Sequence, residues 1–160
     1  MIRVHPALPS LPIREDAWNW LLSYGVTVHV HDPNSTRGGG YWHPDNHLVE
    51  LFTAQEEAAI HELAHAWWEE RRKVEAVRQA FREAVVRLSM ETDPRYKDAA
   101  GLAYVYEHGD PRTGFPGMFE NDWERYAGLA SGVMGQLDRL PEYIRGFYRD
   151  LFDAPRDEAR

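Results

Sequence analysis

The stretch H-E-L-A-H at residues 61–65 constrains this 160-residue chain more than any other feature of its sequence. It lies in a run of mainly apolar residues, 58–68, that has helical spacing and contains neither Gly nor Pro, so a helix is predicted there. Four helical residues advance about 400° and rise about 6 Å, which stacks His61 and His65 one turn apart on one face. Two histidines on an apolar helix cost free energy unless they have partners. We expect that partner to be a metal ion; a hydrogen-bonded core pair is the alternative.

The residue types around this pair indicate which metal to expect. The H-E-x-x-H arrangement on a helix is associated with zinc-dependent peptide hydrolysis. At this spacing both imidazoles reach a single Zn²⁺ at about 2.0–2.1 Å. Glu62 lies between them in sequence, where its carboxylate can reach a zinc-bound water without occupying a coordination position. The sequence therefore predicts zinc as the cofactor and Glu62 as the base that activates its water.

A third zinc ligand is expected further along the chain. Catalytic zinc usually has three protein ligands and an open position for water, and without cysteine the third must be His, Asp or Glu. The downstream candidates are Glu107, His108, Asp110, Glu120, Asp122 and Glu124. We favour Glu124, because it lies early in a predicted helix in which Ala127 would allow close approach to the first helix, and we hold Glu120 in reserve. Alternatively, Glu124 is a first-turn carboxylate favoured by the helix dipole.

Together these motifs resemble the small gluzincin-type zinc metallopeptidases. The resemblance rests on His61-Glu62-Leu63-Ala64-His65, preceded by a strand, and on a later helix with Glu124-x-Tyr126-Ala127, and it covers roughly residues 26–135. It implies His61, His65 and Glu124 as zinc ligands and Glu62 as general base. It also implies a small sheet packed on the active-site helix and an edge strand that binds a peptide substrate. The chain departs from that pattern in the long helical stretch 69–108 between the motifs.

The hydrophobic pattern predicts an α+β fold, a single and mostly helical domain over residues 1–160 with a small sheet of about three strands packed on the active-site helix. The resemblance implies that this domain is zincin-like. Strands are expected over 26–31 and in a hairpin, 40–43 with 47–52, whose second strand would present an open edge before the helix. A capping box at 53–56 would start that helix. Helices are expected over 13–24, over 54–91 as one helix or two, and over 95–107, 121–137 and 142–152, with a loop at 109–118 and a polar tail from 153.

Composition narrows the range of partners. The formal net charge of −8 argues against binding to nucleic acid or to an anionic membrane, because no basic cluster stands out. No segment approaches the roughly 18 consecutive apolar residues of a membrane span, and the lack of cysteine excludes disulfides. We therefore expect a soluble, cytoplasmic protein whose partner is a peptide or protein substrate. The sequence does not indicate an oligomeric state.

Two alternatives to a peptidase are open. The chain is a regulatory or binding protein whose zincin-like site serves one restricted partner or has no turnover, or it is a helical protein with an accidental motif. Candidate oxyanion donors for a peptidase are Tyr104, Tyr106, His108 and Tyr126, in no order of preference. The strand histidines His29 and His31 are expected to face solvent, and the hairpin histidines His43 and His47 are left out of the site.

Overall fold

The computed structural model describes residues 1–32, 38–114 and 121–153. They form the expected α+β fold, a small three-stranded mixed sheet among helices, and no helix among these residues is long and apolar enough to cross a membrane. The strands are β1 (Thr27–Val30), β2 (Gly40–His43) and β3 (Leu48–Leu51). The α-helices are α1 (Glu15–Tyr24), α2 (Glu56–Arg71), α3 (Glu75–Ser89), α4 (Lys97–His108), α5 (Asp122–Gly132) and α6 (Glu142–Arg145), with short 3₁₀ turns at Pro94–Tyr96 and Leu137–Arg139.

The sheet has the order β1-β3-β2, with β3 parallel to β1 and antiparallel to β2. Val49 and Leu51 of the central strand are fully buried, and α2 packs against β2 and β3. The strand that leads into α2 is therefore central, and the prediction that it presents an open edge is wrong. Strand β3 pairs with β1 on one side and with β2 on the other, so the sheet edge beside α2 belongs to β2.

Helix α2 begins at Glu56, later than expected. The predicted capping box does not form, because Gln55 is the N-cap residue and makes no side-chain cap. Thr53 Oγ1 instead accepts a hydrogen bond from the Gln55 amide at 3.2 Å, which closes a turn ahead of the helix. Ala59 and Ile60 in the first turns are fully buried, so packing and not a cap holds this end.

The long helical stretch is two helices, which answers the question that the sequence leaves open. Helix α2 ends at Arg71, α3 begins at Glu75, and Val74 between them has extended dihedrals (φ −81°, ψ 110°). Val74 is 55% exposed, although it continues a heptad spacing of apolar residues. At this turn the Arg72 guanidinium binds Asp122, the first residue of α5, with N–O distances of 2.8 and 2.9 Å. A contact from far along the chain thus helps to fix the bend.

The later helices are shorter than expected. Helix α5 stops at Gly132, because Met134 and Gly135 adopt positive φ angles of 53° and 68° and redirect the chain. Helix α6 spans four residues, and turns continue to residue 151. A loop is expected at 109–118, and its residues 115–118 lie outside the described part of the chain. A polar tail is expected from 153, and its residues 154–160 also lie outside that part. Gly25 ends α1 with a φ of 94°, as its position predicts.

An aromatic cluster holds α2 against α5. Trp68 of α2 stacks on Tyr126 of α5 with ring centroids 4.3 Å apart, and Tyr126 stacks on Tyr148 at 4.4 Å. All three rings are fully buried, and the Tyr126 hydroxyl donates to Phe147 O at 2.7 Å. Each ring removes a large apolar area from water. The core therefore fixes the relative position of the two helices that carry the predicted ligands.

Candidate metal centre

Three predicted side chains converge between α2 and α5. Carboxylate oxygens of Glu124 lie 2.9 Å from His65 Nε2 and 3.7 Å from His61 Nε2. One ligand atom from each residue lies within 4.8 Å of the other two, an arrangement that can hold a metal ion. The expectation that a Glu124 oxygen lies within about 4 Å of an imidazole nitrogen is confirmed. Within residues 1–32, 38–114 and 121–153, no other group of His, Asp and Glu side chains meets the same condition.

The other acidic candidates have different surroundings. Asp122 accepts a hydrogen bond from Trp68 Nε1 at 2.7 Å and binds an arginine at the end of α2, so it serves the packing of the helices. Glu107 and Asp110 pair with arginines of their own. Glu120, the reserve candidate, lies outside the described residues. Among the candidates that the structure describes, Glu124 is the carboxylate that reaches the histidines.

Ser131 of α5 supports the first histidine. Its Oγ lies 3.2 Å from His61 Nδ1 and 3.1 Å from the Ala127 carbonyl oxygen, to which the hydroxyl donates. The hydroxyl oxygen can therefore accept from His61 Nδ1–H, which leaves Nε2 available as a ligand. Sequence reasoning missed Ser131. Its position seven residues after Glu124, two helical turns along the same face, is the signal that could have found it.

The converging groups change one another's protonation. The close approach of the His61 and His65 imidazoles holds the pKa of Glu124 far below its ordinary value. Burial by itself lowers the pKa of His61, but the nearby carboxylates of Glu124 and Glu62 outweigh burial, so the pKa is raised. Glu124 is therefore ionised at neutral pH, and it supplies negative charge that a metal dication requires.

Glu62 lies beside this group and is 6% exposed. Burial raises the pKa of its carboxyl group, and the neighbouring His65 and His61 oppose that rise. A carboxylate that binds a proton more readily than usual is suited to accept one during a reaction. Gly40 of β2 runs close by, since a Cβ atom there would lie 3.2 Å from Glu62 Cγ. Glycine at this position lets the edge strand approach the carboxylate.

The group opens onto a cleft of about 570 Å³. Strand β2 borders it on the sheet side, and residues of α2 and α5 border it on the helix side. Besides the three converging side chains and Glu62, its lining residues are Gly40, Tyr41, Trp42, Pro44, Glu69, Arg72 and Trp123. A chain segment lying along β2 would therefore pass the histidines and Glu62.

None of the four predicted oxyanion donors, all of which the structure describes, lines this cleft. Tyr126 is fully buried and donates elsewhere, and Tyr104 is 53% exposed with its ring beside that of His108. Tyr106 packs closely against Gly128 of α5, and burial raises its pKa to about 12. The prediction that one of them stabilises an oxyanion in this cleft therefore finds no support in the geometry.

The sheet histidines lie apart from the converging group. His29 is exposed as expected, whereas His31 is partly covered. His31 and His43 flank Glu50 of β3, with Nε2–O distances of 2.9 and 3.2 Å. His47 Nδ1 lies 2.7 Å from the last carbonyl oxygen of α1. Leaving His43 and His47 out of the site agrees with these contacts.

Comparison with protein-family models, with curated proteins and with solved structures gives no match for this chain. The resemblance to gluzincin-type metallopeptidases therefore stays a prediction. A group of two histidines and one glutamate is compatible with that class but is not specific to it, so the functional case rests on the residues around the cleft.

Proposed function

We propose that this chain is a zinc-dependent metallopeptidase that hydrolyses peptide bonds in a peptide or protein substrate. One observation carries the proposal: ligand atoms of His61, His65 and Glu124 lie within 4.8 Å of one another, beside Glu62 and in the lining of an open cleft. Two imidazoles and one carboxylate are the ligands of a known type of catalytic zinc site, in which the fourth position is open.

The donor set fits zinc. Two imidazole nitrogens and one carboxylate oxygen are close enough to share an ion at about 2.0–2.2 Å after small side-chain rotations. Ser131 favours the His61 tautomer whose Nε2 is free to act as a ligand. The cleft leaves room for water or substrate next to the three donors. Zinc bound here would polarise the scissile carbonyl and lower the pKa of its water toward neutrality.

Glu62 would carry out the proton transfers. Its carboxylate is buried next to both histidines, and the raised pKa makes it a better proton acceptor than an exposed glutamate. It takes a proton from the attacking water as the new C–O bond forms. It then gives that proton to the leaving nitrogen as the C–N bond breaks, so Glu62 ends the cycle ionised, as it began.

Edge strand β2 offers a place for the substrate backbone. It pairs with β3 on one side, and its residues line the cleft. A peptide that extends the sheet at such an edge binds through main-chain hydrogen bonds, which do not depend on its sequence. Tyr41 is 60% exposed and is available for side-chain contacts. These features support an extended peptide or an exposed protein loop as substrate.

The test compares the wild type with Glu62→Gln, both expressed with added zinc. Elemental analysis measures the metal, and mass spectrometry follows cleavage of a peptide mixture. We expect one zinc per chain in both proteins and at least a roughly 100-fold loss of cleavage in the variant, because an amide cannot accept the proton. Glu75→Gln, which changes an exposed glutamate at the start of α3, is the matched control and should cleave normally.

Each part of the proposal has an outcome that contradicts it. Undiminished cleavage by Glu62→Gln would remove Glu62 from the mechanism. A wild type that holds no zinc after supplementation would remove the metal site. A zinc-loaded wild type that cleaves no peptide would favour a zincin-like binding protein without turnover.

A further inference from the structure

Glu69 lies one helical turn beyond His65 and lines the same cleft. The spacing from His61 to His65 repeats at Glu69, so the three form one row on α2, with Glu69 about 6 Å beyond His65 along the helix axis. Its side chain is partly buried, and it makes no hydrogen bond or ion pair with any residue that the structure describes. A partly desolvated carboxylate of this kind gains from a cationic partner.

None of the three basic residues that follow Glu69 in the sequence forms an ion pair with it. Arg71 donates a hydrogen bond to the Trp67 carbonyl oxygen at 2.7 Å, and its guanidinium lies over the Trp67 ring. Arg72 binds Asp122 through two guanidinium nitrogens, and Lys73 Nζ lies 2.6 Å from Glu70. In a zinc-loaded site, the two carboxylates beside the histidines, those of Glu62 and Glu124, would balance the two positive charges of the zinc ion. The Glu69 charge contributes to the raised pKa of Arg72, but the Arg72 guanidinium is bound to Asp122. Glu69 therefore lines the cleft without an ion-pair partner among the described residues.

Two indole rings line the cleft together with Glu69. Trp42 comes from β2, and Trp123, at the start of α5, is 37% exposed. Arg72 Cζ lies 4.7 Å from the ring centroid of Trp123, so this part of the cleft already holds one guanidinium against an aromatic face. Aromatic faces attract cations, and the aliphatic stems of Lys and Arg pack on them. Indoles that line the same cleft as a carboxylate without an ion-pair partner favour a basic group over an acidic one.

We propose that Glu69 is a specificity-determining residue that binds an ammonium or guanidinium group of the substrate, so that the cleft selects basic peptides. The inference rests on the proposed peptidase function and names its substrate class. One residue of extended chain spans about 3.3–3.6 Å, so a carboxylate about 6 Å beyond His65 is within reach of a Lys or Arg side chain near the scissile bond. A free α-amino group close to the cut carries the same charge.

A library of random decapeptides, with acetylated or free amino ends, tests the proposal and separates these two sources of charge. Mass spectrometry records the residues near each cut made by the zinc-loaded proteins. On the acetylated library we expect the wild type to enrich Lys and Arg near the cut roughly fivefold, the effect of one partly exposed ion pair.

Glu69→Gln should lose this enrichment. The matched control Glu70→Gln, whose carboxylate binds Lys73, should keep it. A Glu69-dependent preference seen only on the library with free amino ends assigns the site to the α-ammonium group.

Unchanged preferences in Glu69→Gln, or enrichment of Asp and Glu near the cut in the wild type, would overturn the proposal.

If no zinc-loaded protein cleaves either library, the proposed function fails, and a binding experiment then tests the role of Glu69 separately. Fluorescein-labelled decapeptides that differ only in a central Lys or norleucine are titrated into the wild type and Glu69→Gln. A roughly fivefold preference of the wild type for the Lys peptide, lost in the variant, supports the inference, and equal binding contradicts it.

Discussion

Ser131 connects the candidate ligand group to the body of α5 through a single hydroxyl. Its Oγ lies 3.2 Å from His61 Nδ1 and 3.1 Å from the carbonyl oxygen of Ala127. Outer hydrogen bonds of this type orient a metal-binding imidazole and fix its tautomer. We expect Ser131→Ala to weaken zinc binding roughly tenfold, as measured by competition with a chromophoric chelator.

Ser89→Ala is the matched control for this change. Ser89 also returns its hydroxyl to a helix carbonyl, that of Val86 at 2.6 Å, but it lies at the end of α3 and outside the candidate site. Its loss should leave zinc affinity unchanged. Equal zinc affinity in Ser131→Ala and the wild type would show that the His61 ring does not depend on this hydroxyl.

The site residues differ in how far the sequence alone predicts them. His61, Glu62 and His65 follow from one turn of helix, because local periodicity sets their relative placement. Glu124 has to be chosen among several downstream candidates, and its 2.9 Å contact with His65 supports that choice. A serine or glutamate on a helix usually faces solvent and forms no motif. The packing of α2 against α5 and β2 is therefore what gives Ser131 and Glu69 a possible role.

At the scale of elements, β2 lies beside Glu62 because position 40 has no side chain. A Cβ atom on Gly40 would lie 2.5 Å from Glu50 O and 2.8 Å from Leu51 Cδ2, so alanine must push β2 away from β3. We expect Gly40→Ala to destabilise the fold by about 1–3 kcal/mol, the usual range for overpacking. Displacement of the strand should also lower peptide cleavage roughly tenfold or more. Thermal unfolding and the cleavage assay measure the two effects.

Gly38→Ala provides the comparison for Gly40→Ala. Gly38 belongs to the same run of glycines, but no described atom lies within 4 Å of a Cβ built on it, and it does not need a positive φ. This variant should match the wild type in both assays. Equal losses in the two variants would show that the contact between β2 and β3 is not the cause.

Elements that depend on neighbouring residues are predicted better than those that depend on distant ones. Alternating valines predict β1, and Gly25 predicts the end of α1, because each signal is local. The bend between α2 and α3 is not predictable in this way, since Arg72 is bound there by Asp122, 50 positions further along. The central place of β3 depends likewise on its parallel pairing with β1, which the pattern of the hairpin does not contain.

At the scale of the whole molecule, the core and the candidate site share two helices. Stacking of Trp68 on Tyr126 fixes α2 against α5, and the same two helices carry His61, His65 and Glu124. The site lies at the contact between helices that the core holds in place. Changes in its charge or its occupancy therefore act on the stability of the fold.

Without metal, the site stabilises the fold within a window of pH. The lowered pKa of Glu124 gives stability that is present above the ordinary carboxyl pKa of about 4.3 and is lost as the pH falls. The raised pKa of His61 gives stability that is present below the ordinary imidazole pKa of about 6.5 and is lost as the pH rises. The metal-free protein therefore gains most from this group between roughly pH 4.5 and 6.5.

Zinc should extend this stabilisation to higher pH, because metal binding requires both imidazoles without their Nε2 protons. We expect zinc at about 100 times its Kd to stabilise the wild type by about 2.7 kcal/mol near pH 7.5, which raises Tm by roughly 5–10 °C. The rise should shrink near pH 5.5, where protons compete with zinc for His61, and a chelator should reverse it. His65→Ala removes one ligand and should show little response at either pH. A wild-type Tm that zinc leaves unchanged near pH 7.5 would mean that the three side chains form a hydrogen-bonded group and not a metal site.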